Sequence, residues 1–149
     1  MSDYVVKQQI KINAAPSAVW DALTNPKKTK KYFFHCEVFS DWKAGSAISF
    51  KGKLFLLKKV EMNGTILEIE PEKLLKYNLS NNDDNNNPTI STVTDILSYE
   101  NGITTLSITD DVGEGEGAPE RYHKSIAGWS KVLNGLKELV EEEKYTLLQ

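Results

Sequence analysis

One cysteine, Cys36, in 149 residues cannot close an intrachain disulfide, and it cannot build a thiolate metal cluster. Histidine is nearly as scarce. His35 and His123 are far apart and lack any HExxH-like spacing, so neither a metal site nor a cofactor is expected. No apolar run approaches the ~18 residues of a membrane-spanning helix, which argues against membrane insertion. The opening MSDYVVKQQ has no apolar signal-peptide core, and with the lone cysteine this makes a reducing cytoplasm the expected location. Positive charge is not in excess: the net charge is −3 and the pI near 5.5, giving no general attraction to nucleic acid. The local run Lys27, Lys28, Lys30 and Lys31 has no nucleic-acid-binding motif beside it and reads as a solvated helix face. There is no internal repeat.

What remains is an ordinary globular composition, 40% hydrophobic and 26% charged, of a size that predicts one domain over residues 1–149. The stretch from Pro119 to about Lys144 organises it. Ile126, Trp129, Leu133, Leu136 and Val140 recur at steps of three and four, which puts them on one stripe of a helix. Pro119 suits the first helical turn, and Glu120 complements the positive helix end. Such a helix extends roughly 39 Å and needs an equally long apolar surface to lie on.

The rest of the chain supplies strands. Tyr4 to Ile12 alternates with Val6, Ile10 and Ile12 on one face, interrupted by Gln8. Pro16 opens a helical pattern through Val19, Trp20 and Leu23 that ends before Pro26, and a second short helix covers Lys27 to Tyr32. Phe34–Ser40 and Ala47–Lys53 read as strands around a turn at residues 41–45. The apolar run Leu54 to Leu57 is compatible with a buried strand or with a loop folded over the interior. Gly64–Glu70 alternates with Thr65, Leu67 and Ile69 on one face, and Lys73–Ser80 completes a hairpin. Residues 81–88, five asparagines and two aspartates before Pro88, form a polar loop that buries nothing.

The last hairpin has a derivable register. Asn101-Gly102 is the strongest two-residue turn signal, so Glu100 pairs with Ile103, Leu97 with Leu106, Asp95 with Ile108 and Val93 with Asp110. Val93, Leu97, Tyr99, Leu106 and Ile108 then share the inward face with Asp95 and Asp110, two carboxylates on a diagonal about 7–8 Å apart. Residues 113–117, Gly-Glu-Gly-Glu-Gly, follow. Their glutamates would repel an anion, so the segment reads as a hinge or rim rather than a phosphate cradle. Beyond the helix, Leu147 and Leu148 are candidates to dock on the body or on a second subunit.

The order strand, two short helices, six to seven antiparallel strands and a long terminal helix defines an α+β chain and resembles the helix-grip fold of the START-like superfamily (SRPBCC), which includes birch-pollen-allergen proteins and polyketide cyclases. Four segments narrow the resemblance. Residues 15–24 (APSAVWDALT), 41–46 (DWKAGS), 64–71 (GTILEIEP) and 128–136 (GWSKVLNGL) are similar to the family homologous to the activator of heat-shock protein 90 ATPase. The resemblance implies a curved sheet around the helix and an internal cavity that often holds a lipophilic molecule. It supplies no shared catalytic motif. Eukaryotic chaperone activators of the family carry a further N-terminal module, for which these residues leave no room.

Candidate ligand-binding residues are Trp20, Phe50, Tyr77, Tyr99 and Trp129 as aromatic lining, with Asp95 and Asp110 to orient a ligand or share a proton. His35 and Cys36 are adjacent in a strand, face opposite ways and make no nucleophile–base pair. No catalytic residue is assigned. The expected function is a non-catalytic module binding a small hydrophobic or lipid-like ligand, as a monomer or homodimer. The alternative is a chaperone-associated, stress-response interaction domain, and a third reading is a polyketide-cyclase-like enzyme using Asp95.

Overall fold

The computed structural model describes residues 3–54, 58–81 and 89–147. Two of the sequence expectations, the run Leu54–Leu57 and the asparagine-rich loop, fall largely outside those residues, as do the side chains of Leu147 and Leu148. The elements are β1 (Val5–Ile12), α1 (Pro16–Thr24), α2 (Pro26–Tyr32), β2 (Cys36–Ser40), β3 (Ala47–Leu54), β4 (Lys58–Glu70), β5 (Leu74–Asn81), β6 (Thr89–Glu100), β7 (Ile103–Asp111) and α3 (Ala118–Leu147). The strands form one antiparallel sheet in the order β1-β7-β6-β5-β4-β3-β2. α1 and α2 therefore carry the chain from one edge of the sheet to the other.

Local chemistry sets the boundaries. Asn25 closes α1, and its side chain accepts the Lys27 amide at 3.0 Å to cap α2, with Pro26 in the first turn, where a missing N–H costs nothing. β2 starts two residues later than its sequence predicts. Phe34 and His35 both take left-handed backbone angles (φ 49° and 60°), which extended strand pairing does not accommodate, so the chain corners there before Cys36. The β6–β7 register is the one derived from Asn101-Gly102, pair for pair.

One strand face is corrected. In β4, Ile66 is fully buried and Leu67 is 41% exposed, the reverse of the expected phase. A one-residue bulge against β5 causes this: Ile66 pairs with Tyr77 but Glu68 with Lys76, so Leu67 is the extra residue and Ile69 returns to the core.

α3, 30 residues and about 45 Å long, buries Val132, Leu133, Leu136 and Val140 in the same core as Ile12, Ile48, Leu106 and Ile108. Polar bonds fix its path along β1. Gln8, the residue that interrupts the apolar face of β1, donates from Nε2 to the Ile126 carbonyl at 3.0 Å, and Lys137 donates to the Lys11 carbonyl at 2.6 Å. Glu141 accepts the Asn13 amide at 2.8 Å. Lys28 pairs with Asp21 and with Glu143, which joins all three helices.

Beside the bulge, Gly64 lies so close to β5 that a Cβ would stand 1.7 Å from the Asn78 carbonyl oxygen. Gly64→Ala must therefore push β4 from β5. A loss of about 3 kcal/mol is expected from such overpacking, read as a lower urea midpoint; an unchanged midpoint would show that the two strands are not held this tightly.

Candidate functional site

The N-terminal half of α3 does not pack on the sheet as its C-terminal half does. Between it and the strands lies a cavity of about 380 Å³. The α2–β2 corner contributes Phe33 and Phe34, and β4 and β5 contribute Val60, Met62 and Leu79. Ser91 and Val93 come from β6, and Asp110 and Val112 from the end of β7 and just after it. α3 closes the space with Arg121, Lys124, Ser125, Gly128, Trp129 and Val132. The walls are mostly apolar, with the polar groups at Arg121, Lys124 and Ser125 of α3, at Asp110 and at Ser91.

Asp110 holds the helix over this space. Its Oδ2 accepts Ser125 Oγ at 2.6 Å and Trp129 Nε1 at 2.8 Å, two donors one turn apart on α3. Its Oδ1 is buried and has no partner among the described residues. Burial pushes the Asp110 carboxyl up from the usual range, and the charge of Asp111 adds to that, while the bonds from Ser125 and Trp129 pull it back. The glycine segment folds around Arg121. Gly113, Gly115 and Gly117 adopt φ of 80°, 92° and 81°, which turns the carbonyls of Val112, Glu114 and Glu116 onto the guanidinium at 3.2, 3.3 and 2.8 Å. The expected rim is thus a carbonyl cage around a cation.

A second, enclosed space of about 20 Å³ lies deeper, lined by Phe50, Tyr77, Asp95 and Trp129 among others. That is room for about one water molecule. An aromatic wall runs beside it: Phe33 stacks on Phe50 (4.7 Å) and meets Trp129 edge-on (5.8 Å), and Phe50 leans on Tyr77 (5.9 Å). Asp95, 3% exposed, has its carboxyl raised to about 7 by burial first and by the charge of Asp110 second. Tyr77 is held well above the ordinary phenol range by burial and then by the same two carboxylates.

Of the seven residues singled out from sequence, Phe50, Tyr77, Asp95 and Trp129 meet around the small space, and Asp110 and Trp129 meet at the large one. Trp20 and Tyr99 lie apart from both spaces. Trp20 packs on the outside of the core from α1 and lines neither space, because the inward positions of that helix belong to Val19 and Ala22. Tyr99 is 55% exposed and lies with Leu74 and Ile96 along a separate open groove. Sequence reasoning passed over Phe33, Phe34, Met62, Arg121 and Ser125. Ser125 alone left a legible signal: it lies four residues before Trp129, a hydroxyl one turn along the inward stripe.

A curved antiparallel sheet gripping one long C-terminal helix, with a space left between them, defines the helix-grip, START-like class. The family model described as "Activator of Hsp90 ATPase homolog 1-like protein" matches residues 13–141, and the chain belongs to that family. A Cytophaga hutchinsonii protein solved in solution is 31% identical, over 97% of this chain and 99% of its own, with a TM-score of 0.72. A crystal structure from Mesorhizobium loti is 20% identical (93% and 97% covered, TM-score 0.79), and the solution structure of the Aha1 dimer from Colwellia psychrerythraea is 16% identical (92% and 96%, TM-score 0.70). The last two speak for the fold alone. Comparison with curated proteins finds no match. No helix among the described residues is long and apolar enough to cross a membrane.

The raised carboxyl of Asp95 has a stability consequence. Between the unfolded value of 3.8 and about 7, the folded chain keeps a proton that the unfolded chain has lost, so stability falls as pH rises through that window. Asp95→Asn, always neutral, removes the penalty. The variant should melt higher than the parent at pH 8, with the gap closing towards pH 5; a gap that is the same at both values would mean that Asp95 is not ionising in the interior.

Proposed function

We propose that this protein is a non-catalytic binding module that holds a small hydrophobic or lipid-like molecule in the cavity between α3 and the sheet. The observation that carries this reading is the cavity itself. At about 380 Å³ it falls in the size range of small-molecule sites, and it has their usual make-up, apolar walls with a few convergent polar groups. Apolar walls of this extent facing water leave hydrophobic stabilisation unrealised, which a ligand of matching shape would recover. Ser125 stands beside the Asp110 carboxylate, but the oxygen it meets also accepts the Trp129 indole N–H, an arrangement suited to holding α3 in place, which favours binding over covalent chemistry. Asp95, whose carboxyl is raised to about 7, lines the one-water space and not the large cavity.

The family description favours a second reading, a chaperone-associated interaction domain. That role would use the outside of the molecule, where Phe39, Ile90 and Ile96 are exposed. The ATPase rate of an Hsp90-type chaperone, measured with and without this protein, tests it directly. An increase supports the role, and an unchanged rate counts against it.

Gly128 allows the cavity reading to be tested without breaking the fold. A Cβ there would meet only the Phe34 ring, at the ordinary distance of 3.5 Å, and a larger side chain would project into the cavity. Gly128→Leu also replaces the poorest non-proline helix former with one of the best, worth up to ~1 kcal/mol. The variant should keep or raise its melting temperature while binding 1-anilinonaphthalene-8-sulfonate at least tenfold more weakly. Undiminished dye binding by a folded variant would place the ligand site elsewhere.

A further inference from the structure

The two oxygens of Asp110 are not equivalent, and the difference describes the ligand. Oδ2 is committed to α3: the Trp129 indole N–H can only donate, so this oxygen accepts in either charge state of the acid. Ser125 donates to the same oxygen. With both donors on Oδ2, Oδ1 is the oxygen left to a proton or to a ligand, whether Asp110 is charged or neutral. That oxygen is buried and has no partner among the described residues, on a side chain only 6% exposed that lines the cavity. An orphaned carboxylate oxygen is unfavourable in such a setting, and a ligand able to reach it would relieve the loss.

Charge narrows the group that fits. A cationic ligand head would share the cavity with Arg121 and Lys124, both of which line it. An anionic head at the Oδ1 end would face the carboxylate itself. A neutral group avoids both conflicts, and it must donate to an ionised Oδ1 or accept from a protonated one. A hydroxyl does either. The surroundings suit the carbon skeleton behind it, since Phe33 and Trp129 present aromatic surface beside the carboxyl.

We propose that the cavity takes an apolar, ring-bearing molecule with a neutral hydroxyl group, and that this hydroxyl hydrogen-bonds Oδ1 of Asp110. The inference rests on the reading of the cavity as a binding site and adds the chemistry by which it selects.

Two probes of nearly the same shape test it, 2-naphthol and 2-methylnaphthalene, each titrated as a competitor of 1-anilinonaphthalene-8-sulfonate. The methyl compound is the more hydrophobic, so the quantity to compare is the ratio of its Kd to that of the naphthol, in the parent and in Asp110→Leu. The ratio should fall about tenfold in the variant, the worth of one hydrogen bond to a charged group. An unchanged ratio overturns the hydroxyl proposal and leaves the cavity reading standing. Failure of both probes to bind the parent overturns both. A second measurement needs no variant: in the carboxyl-labelled parent protein, the Asp110 Cγ resonance should shift with 2-naphthol and stay in place with 2-methylnaphthalene. Equal shifts with the two probes would overturn the proposal even if Asp110→Leu failed to fold.

Discussion

The hydrogen bonds from Ser125 and Trp129 to one oxygen of Asp110 decide how α3 sits on the sheet. Over its C-terminal half the helix is held by burial, with Leu133, Leu136 and Val140 in direct contact with the core. Over its N-terminal half the contacts are polar and specific: Asp110 to Ser125 and Trp129, Gln8 to the Ile126 carbonyl, and the 112–117 carbonyls to Arg121. Hydrophobic packing alone would draw this half down onto the strands. Directional bonds fix its height instead, and the cavity is the space they leave. Structure and candidate function thus meet in one carboxylate.

Two acids on the same sheet face accordingly have different roles. Asp95 and Asp110 are diagonal neighbours across β6 and β7, both buried and both raised in pKa. Asp110 has two strong donors that favour its charged form. Burial of Asp95 is offset by no such donor among the described residues, and its carboxyl reaches about 7. The first is suited to orienting a helix and a ligand. The second is a destabilising group near neutral pH, kept beside a space that admits about one water.

Much of this architecture is legible in the sequence because the signals are local. Asn101-Gly102 determines the register of the last hairpin, and that register places both aspartates inward. The stripe from Trp129 to Val140 identifies the helix and its buried face, and four short segments in order point to the family that the profile match establishes. The features that stay hidden depend on contacts between distant segments. The bulge at Leu67 is a property of β4 and β5 together, since Gly64 must fit against Asn78. The corner at Phe34 and His35, which directs two aromatic rings into the cavity, rests on left-handed angles that neither residue type announces. For Trp20 and Tyr99 the aromatic character is visible in the sequence, but their placement away from both spaces under α3 is not.

The central claim is that the space under α3 is occupied by a small molecule when the protein works. The most direct measurement compares the mass of the purified native protein with that of the same sample after denaturation. The account predicts additional mass in the native state, a few hundred daltons, that disappears on denaturation and is absent from Gly128→Leu. An equal excess on the parent and on the Gly128→Leu variant would contradict the account, because whatever is bound would then lie outside the cavity.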